Sequence, residues 1–579
     1  EALQYGIQIH ADVIKHGLEL DGLVGHSLMH MYTSCGDMEG ACILFEKLPI
    51  PNVITWSTLI SGYGENGQGE VALKIFDQMR HQAIKPNQVT FMSVLKACSS
   101  CLRALQKGRM IHADTVVCGF ELDTCVGNAL IDIYVKCASM EDAMDIFHRM
   151  PFKNVVTWTT LIAGYSKHMQ HKEAIDCYDL MQLEGTFPDC ITFSCILKCC
   201  ANSRDSGKGC EIHAEISRKG LLQKDLVLSS MLIDMHAKCG FLSIAKEVFD
   251  KLIVRDVVSW TTLIMGYVEE ELFDEALNCF NQMQLEGFSL DSTVFSCSLK
   301  ACGCIGAVEK GRYLHLTIEG LGLLKKDVQL CYALVEMYVK CGFLTKAYSV
   351  FEELPHRDTI LWNVLIAGYT NQDCSEESLE IFERMQLEHV NADAYTYLYV
   401  LKACGIIKDV EKGRKIHEGV EKAGLLAHSP LVGNALIDMY HKCGKIDDAC
   451  QLFQKMHVKN VVTWNTMISG YAKHGLLRYA FKLYEIMDCF PNRVTFVTIL
   501  KCCATVMDLE WGKSIYNEMV WNEVAIDVSL GNSLIDFYVN CNKVEDAQQV
   551  FINLRCKDVV SWTMMIRSYG KNEYVDKAN

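Results

Sequence analysis

The sequence predicts an all-α chain, a right-handed α-solenoid superhelix of tandem helical hairpins. Three observations lead there. Tryptophans recur at Trp56, Trp158, Trp260, Trp362, Trp464 and Trp562, with four intervals of 102 residues and a last one of 98. Self-similarity at a fixed period marks a stacked repeat. Each 102-residue unit divides without linkers into segments of 35, 36 and 31 residues, as in Val155–Asp189, Cys190–Asp225 and Leu226–Asp256. Apolar residues follow a helical period: Ala174, Ile175, Tyr178 and Met181 fall at i, i+1, i+4 and i+7. One hairpin cannot bury both faces of two short helices, so neighbouring hairpins must stack.

In chain order, residues 1–21 read as a partial segment, 22–558 as sixteen complete segments and 559–579 as a truncated one, a single array over 1–579. In Val155–Asp189 the first helix covers "TWTTLIAGYSKH", with Thr157 as its N-cap. The second covers "KEAIDCYDLMQLEG" and stops near Gly185. Pro49, Pro51, Pro86, Pro151, Pro188, Pro355 and Pro491 fall between segments and Pro430 opens one, places where proline breaks no helix.

A chain of 579 residues is too long for one compact core. No window approaches 18 consecutive apolar residues, so no membrane span is expected. The chain opens on Glu1 without a leader and stops inside a repeat, and it reads as a piece of a longer precursor. A net charge of −16 disfavours an unspecific polyanion binder but leaves room for a local basic strip. Of 29 cysteines, eleven occupy two repeat-locked places: Cys35, Cys137, Cys239, Cys341, Cys443 and Cys541, then Cys98, Cys200, Cys302, Cys404 and Cys503. They read as reduced core thiols.

Two motifs are set aside. "HAE" at His213–Glu215 matches half of a zinc deaminase signature, but no P-C-x-x-C occurs, and His213 belongs to a repeat set with His10, His112, His315 and His417, replaced by Tyr516. Cys98 and Cys101 form a lone C-x-x-C without a second ligand pair. No metal, cofactor or catalytic residue is assigned, and the chain is not expected to be an enzyme.

Three kinds of segment carry distinct motifs: "VVTWNTMISGYAKHG" from Val461; "VTFMSVLKACSS" from Val89 with "KGRMIHA" from Lys107; and "VGNALIDMYHKCGKIDDACQLFQKM" from Val432. Across essentially its whole length the chain resembles the pentatricopeptide repeat family, in the land-plant class whose P, L and S motifs alternate. The resemblance implies single-stranded RNA binding at one nucleotide per repeat. It implies base choice by the fifth residue of a motif together with its last, while the second residue packs against the base.

Carried over in order from the 5′ end, Ser57 with Asn87 implies adenine and Asn128 with Asn154 a pyrimidine. Thr159 with Asp189, Ser230 with Asp256, and Thr261 with Asp291 imply guanine. Asn363 with Asp393 implies uracil, Asn434 with Asn460 and Asn465 with Asn492 pyrimidines, and Asn532 with Asp558 uracil. His26 and Tyr332 at fifth positions receive no base. The L segments carry Met92, Ser194, Ser296, Leu398 and Val497 there, and the P segment Val461–Asn492 is three residues short.

Positions 5, 9 and 13 share one helix face. Position 9 of every L segment is lysine (Lys96, Lys198, Lys300, Lys402, Lys501), and position 13 of four S segments is Lys136, Lys238, Lys340 or Lys442. Ser34 and Asn540 replace it in the other two. Such a row suits a phosphate backbone. The last-position Asn and Asp residues also suit helix caps, and the tryptophans suit core anchors better than base platforms.

The resemblance further implies selection of a site in a mitochondrial or chloroplast transcript, usually for cytidine-to-uridine editing. The deaminase would lie in a C-terminal extension or arrive in trans with editing cofactors; no DNA partner is expected. The alternatives are RNA stabilisation or splicing support and, from a different class, a protein-interaction scaffold with an apolar or acid-lined groove.

Overall fold

The computed structural model describes residues 2–19, 21–99, 104–325, 327–354, 357–522 and 524–571. Among the described residues every regular element is a helix, and none is long and apolar enough to cross a membrane. The chain forms two compact units, Glu1–Val294 and Phe295–Asn579. Each is an all-α repeat stack on the same local plan. A first helix (A) packs on its own second helix (B) and on helix A of the next segment, as Val53–Glu65 does on Gly69–His81 and Gln88–Cys98.

Helix A begins earlier than its apolar pattern suggests. The N-cap of Val155–Lys167 is Asn154, not Thr157. Asn154 Oδ1 accepts the Thr157 N–H at 3.0 Å, and Thr157 Oγ1 accepts the Asn154 N–H at 3.2 Å. This is a capping box, and the two valines between its members lie in the first turn, whose N–H groups lack intrahelical partners anyway. The same box recurs at Asn87/Thr90, Asp256/Ser259, Asp393/Thr396, Asn460/Thr463 and Asn492/Thr495. Helix B ends as expected: His171–Leu183 is followed by Gly185 at φ +76°. Pro430 is the first residue of Pro430–Lys442. Pro355 and Cys101 lie outside the described residues.

Trp56, Trp158, Trp260, Trp362 and Trp464 are buried core anchors, whereas Trp562 on the last helix is 53% exposed. Trp158, Trp260 and Trp362 meet Phe147, Phe249 and Phe351 of the preceding helix B edge-to-face, with centroids 4.7, 4.4 and 4.6 Å apart. Such pairs add about 0.5–1.5 kcal/mol beyond burial. A cation lies over the phenyl ring from the loop between segments: Lys153, Arg255 and Arg357 stand 5.1, 4.9 and 5.1 Å from it.

The two cysteine series meet each other. Cys239, Cys341 and Cys443 each direct Sγ at the carbonyl of Cys200, Cys302 and Cys404, at 3.9, 3.7 and 4.0 Å. Burial pushes the Cys200 and Cys404 thiols up to about 12, so both stay protonated.

The histidine series is a link between helices rather than half of a deaminase motif. His112, His315 and His417 Nδ1 bond to the hydroxyls of Tyr134, Tyr338 and Tyr440 at 3.0, 3.0 and 2.9 Å. At the His213 place tyrosine is replaced, and His236 Nε2 meets His213 Nδ1 at 3.0 Å. Burial, then the neighbouring His213, lowers the His236 pKa to about 4. The unfolded histidine takes its proton near pH 6.5. A depressed folded-state value therefore means full stability above that pH and progressive loss as pH falls from there towards 4. His236→Tyr removes one such group and supplies the hydroxyl found elsewhere. Melting followed by circular dichroism is expected to rise more at pH 5 than at pH 8 for this variant; an equal change at both would contradict the account.

The short P segment loses a turn from helix B. Leu477–Glu485 has nine residues where His171–Leu183 and Ser375–Leu387 have thirteen. Trp511 stands where other L segments have Lys107, Lys208, Lys310 and Lys412 before a glycine. Its ring packs 4.8 Å from Phe481, on the shortened helix.

Candidate nucleic-acid interface

Helix A of each segment presents three kinds of residue at its N-terminal end. The second residue is exposed and, in most segments, apolar. In the first unit these are Leu23, Ile54, Val89, Val156, Ile191, Val227 and Val258; in the second, Ile360, Tyr395, Leu431, Val462, Val494 and Val560. Cys125, Thr293, Gln329 and Ser529 hold this place in the other four; a row of apolar side chains left uncovered at the rest marks a binding surface more than chance exposure. Apart from the exposed Met92 and Thr563, the fifth residue is buried or half-buried between successive A helices; Ser57 is 3% and Thr159 9% exposed. The last residue, cap of the next helix A, is half-buried or exposed.

The predicted fifth and last residues come together, through a third that the sequence reading missed. Asn363 Nδ2 donates to Asp393 Oδ1 at 3.0 Å while Thr396 Oγ1 donates to Asn363 Oδ1 at 2.6 Å. Asn465, Asn492 and Thr495 repeat this at 3.0 and 2.7 Å. Asn532, Asp558 and Ser561 do so at 3.1 and 2.6 Å. Asn128 accepts from Thr157 at 2.7 Å and reaches Asn154 at 3.4 Å. Where the fifth residue carries a hydroxyl, it stops at the third: Ser57 meets Thr90 at 2.7 Å and Thr159 meets Thr192 at 2.6 Å. Thr192 then donates to Asp189 at 2.7 Å. The signal was in the sequence, as a Thr or Ser three residues after most last positions.

Other pairs differ. Thr261 donates to Val257 O instead, and Val294 stands at the third position after Asp291. The Ser230 hydroxyl and Asn434 Oδ1 are buried without a protein partner among the described residues. Asp256 and Asn460 cap their helices as the others do.

Capping fixes which atom of the last residue points away. The N–H of the third residue takes Oδ1, orienting each asparagine amide. Among the described residues, Nδ2 of Asn87, Asn154, Asn460 and Asn492 keeps its donors free of protein, and Oδ2 of Asp189, Asp256, Asp291 and Asp393 stays an unused acceptor. Burial would raise the Asp393 carboxyl, but the N–H of Thr396 and the Asn363 and Thr396 side chains outweigh it and hold the pKa below the usual carboxylate range. Asp558 is held low by Ser561 and Asn532.

Two cavities mark the place. One of about 480 Å³ is lined by Val462, Val494, Asn465, Asn492, Lys442 and Lys473 among others. Another of about 340 Å³ is lined by Ile54, Val89, Ser57 and Asn87, beside His26 and His30. Each sets two second-position apolar residues around one fifth/last pair, so the shortened segment keeps its site.

The lysine row is partly neutralised. Lys136, Lys238, Lys340 and Lys442 pair with Asp132, Asp234, Glu336 and Asp438 one turn earlier, at 2.7, 2.9, 2.8 and 2.7 Å. Lys96 lies 3.4 Å from Glu65, and Lys402 donates to Asn371 at 2.7 Å. Lys198, Lys300 and Lys501 have no ion-pair partner among the described residues. Exposed pairs of this kind are worth only about 0–1 kcal/mol, so a phosphate can displace them.

The comparisons with known proteins agree with this architecture. A family model described as "PPR repeat family" matches residues 51–100, 153–202, 255–304, 357–405 and 459–505. One described as "PPR repeat" matches 128–155, 227–257, 331–358, 434–461, 532–559 and 560–579. A mitochondrial pentatricopeptide repeat-containing protein of Arabidopsis thaliana is 32% identical over 94% of this chain and 53% of its own length. A chloroplastic one from the same plant is 31% identical over 96% and 68%. The chain thus spans little more than half of the first relative. The crystal structure of the maize pentatricopeptide repeat protein PPR10 superimposes with a TM-score of 0.61 at 18% identity, covering 99% of this chain and 85% of that one. Its complex with an 18-nt psaJ RNA element gives 0.54 at 18% identity, over 96% and 83%. Repeat motifs, stacking plan and relatives converge: the chain belongs to the pentatricopeptide repeat family.

Proposed function

We propose that this chain, an array of alternating P, L and S motifs, binds single-stranded RNA and reads it one nucleotide per repeat. The observation that carries the reading is the alignment, recurring along the chain, of an exposed apolar second residue with an oriented, unspent polar atom on the last residue, as at Ile54/Asn87, Val156/Asp189 and Val462/Asn492. A base sandwiched between successive second residues brings its Watson–Crick edge to that atom. The outer oxygen of an aspartate accepts from the N1–H of guanine or the N3–H of uracil; the amide of an asparagine donates to N1 of adenine or N3 of cytosine. The fifth residue sets the room: Ser or Thr leaves space for a purine, and the longer Asn for a pyrimidine. In order the pairs read 5′-A-N-Y-G-N-G-G-N-N-U-N-Y-Y-N-U-3′, where Y is a pyrimidine and N is unassigned. A gel-shift titration with this RNA and a scrambled RNA of equal composition tests the reading. The ordered RNA is expected to bind more tightly; equal weak binding of both would reject it.

Lysines contribute without sorting. Lys198→Ala with Lys501→Ala is expected to weaken all RNAs alike and to flatten the salt dependence by about 0.7 in log–log slope for each phosphate no longer neutralised. Lys136→Ala is expected to do less, since Asp132 already holds that charge. Weakening confined to one RNA sequence would contradict a phosphate role.

The site selected lies in an organellar transcript, and the purpose is cytidine-to-uridine editing, with the deaminase supplied by a further domain or a partner. The mitochondrial and chloroplastic names of similar proteins support the address. One observation favours a second reading, that of a peptide-binding scaffold. On the helix B side, Tyr484, Met487 and Trp511 line a cavity of about 580 Å³ together with Glu485, Glu510 and Glu518.

A further inference from the structure

The segment Val328–Asp358 departs from the Asn363 and Asn465 segments at all three parts of the base site. Its second residue is Gln329, polar and exposed, where the flanking place on the next helix A is Ile360. Its fifth residue is Tyr332. The third member, three residues after Asp358, is Leu361, which has no hydroxyl to give. The Tyr332 hydroxyl donates to Asp358 Oδ2 at 2.5 Å, while Oδ1 of the same carboxylate accepts the Leu361 N–H at 3.0 Å.

That bond engages the oxygen that Asp189, Asp256, Asp291 and Asp393 keep for a base. In the Asn363 segment the fifth residue bonds to Oδ1, the capping oxygen, and leaves Oδ2 of Asp393 unused. Asn532 forks across both oxygens of Asp558, at 3.1 and 3.3 Å, but its short amide stays beside the carboxylate. At Asp358 both oxygens are engaged by protein, and a phenol ring stands where Asn or Ser elsewhere leaves room. Burial and the adjacent carboxylate push the Tyr332 pKa up to about 12, so the hydroxyl remains a donor throughout the physiological range.

We propose that Val328–Asp358 is a silent repeat: it occupies one nucleotide of the bound RNA, and Tyr332 closes the reading edge of Asp358, so that any base is accepted there. The proposal rests on the base-reading function above. It splits the recognised sequence into two read blocks joined by a spacer, which loosens the set of transcripts the chain selects.

The test uses the full chain and four RNAs of the proposed order that differ only at the nucleotide immediately 5′ of the uracil facing Asn363. Wild type is expected to bind all four within about twofold, and Asp358→Asn to leave that indifference unchanged. Replacing the uracil facing Asn363 should cost about tenfold, the usual worth of one polar hydrogen bond to a base. The double variant Tyr332→Asn with Leu361→Thr rebuilds the trio of Asn363, Asp393 and Thr396, and is expected to create a uracil preference of about tenfold at the formerly indifferent nucleotide. A tenfold preference in wild type would overturn the proposal; so would a rebuilt variant that melts like wild type yet stays indifferent. Preference at neither nucleotide would instead reject base reading itself, and the silent repeat with it. The wild-type comparison alone decides if the rebuilt variant does not fold.

Discussion

Replacing Thr159 by asparagine is expected to move the preference at one nucleotide from guanine to uracil. Thr159 lies between successive A helices and passes its hydroxyl to Thr192, which holds Asp189 Oδ1. Asparagine at that place has a template in the same fold, the trio of Asn363, Thr396 and Asp393. There the amide spans from the threonine hydroxyl to the aspartate and fills the space a purine needs. Asp189 keeps its outer oxygen in both cases, so the base must still offer a donor; only its size requirement changes. Direct base contacts are worth about 1–3 kcal/mol each, or roughly 5- to 150-fold in relative affinity. Titrating wild type and variant with two RNAs that differ only at this nucleotide measures the exchange. An unchanged guanine preference would reject the register of the whole assignment.

Trp260→Ala is expected to give the largest loss of stability. The indole is wholly buried, 4.4 Å from Phe249 and edge-on to it, with Arg255 and Lys246 5.8 and 5.9 Å from its ring. Truncating a buried aromatic costs about 3–5 kcal/mol. In a stack of repeats each segment touches only its neighbours, so the damage is local. Urea denaturation should therefore lose cooperativity, with hydrogen exchange rising first in residues 242–285. RNA binding should lose its guanine preference at the Thr261 site before affinity for the rest. Trp260→Phe should cost markedly less. An alanine variant as stable as wild type would contradict the assignment of Trp260 to the core.

Much of the fold was legible because repetition averages local ambiguity away. Trp158, Trp260 and Trp362 fixed the period, and Gly185 marked a helix end that φ +76° then explains. The start of helix A was misjudged because hydrophobic periodicity begins at tryptophan, whereas the backbone turns at Asn154, with two valines between it and the predicted Thr157 cap. The fifth and last residues were legible as a variable pair, but the hydroxyl joining them was not. Thr157, Thr192 and Thr396 look like ordinary first-turn residues until the next helix A packs alongside. The lysine row was read too simply for a similar reason. Asp132, Asp234, Glu336 and Asp438 stand four residues before Lys136, Lys238, Lys340 and Lys442, a spacing at which opposite charges meet. Bonds between successive A helices, such as that of Tyr332 to the cap residue Asp358, depend on stacking geometry and cannot be read from either helix alone.

Selection from an RNA pool randomised across the whole site, followed by sequencing of the bound fraction, tests the central claim most directly. The account predicts enrichment that follows the order of the fifth and last residues along the chain, with adenine facing Ser57, guanine facing Thr159, Ser230 and Thr261, and uracil facing Asn363 and Asn532. A bound pool with no positional preference, or with preferences in an order unrelated to those residues, would contradict it.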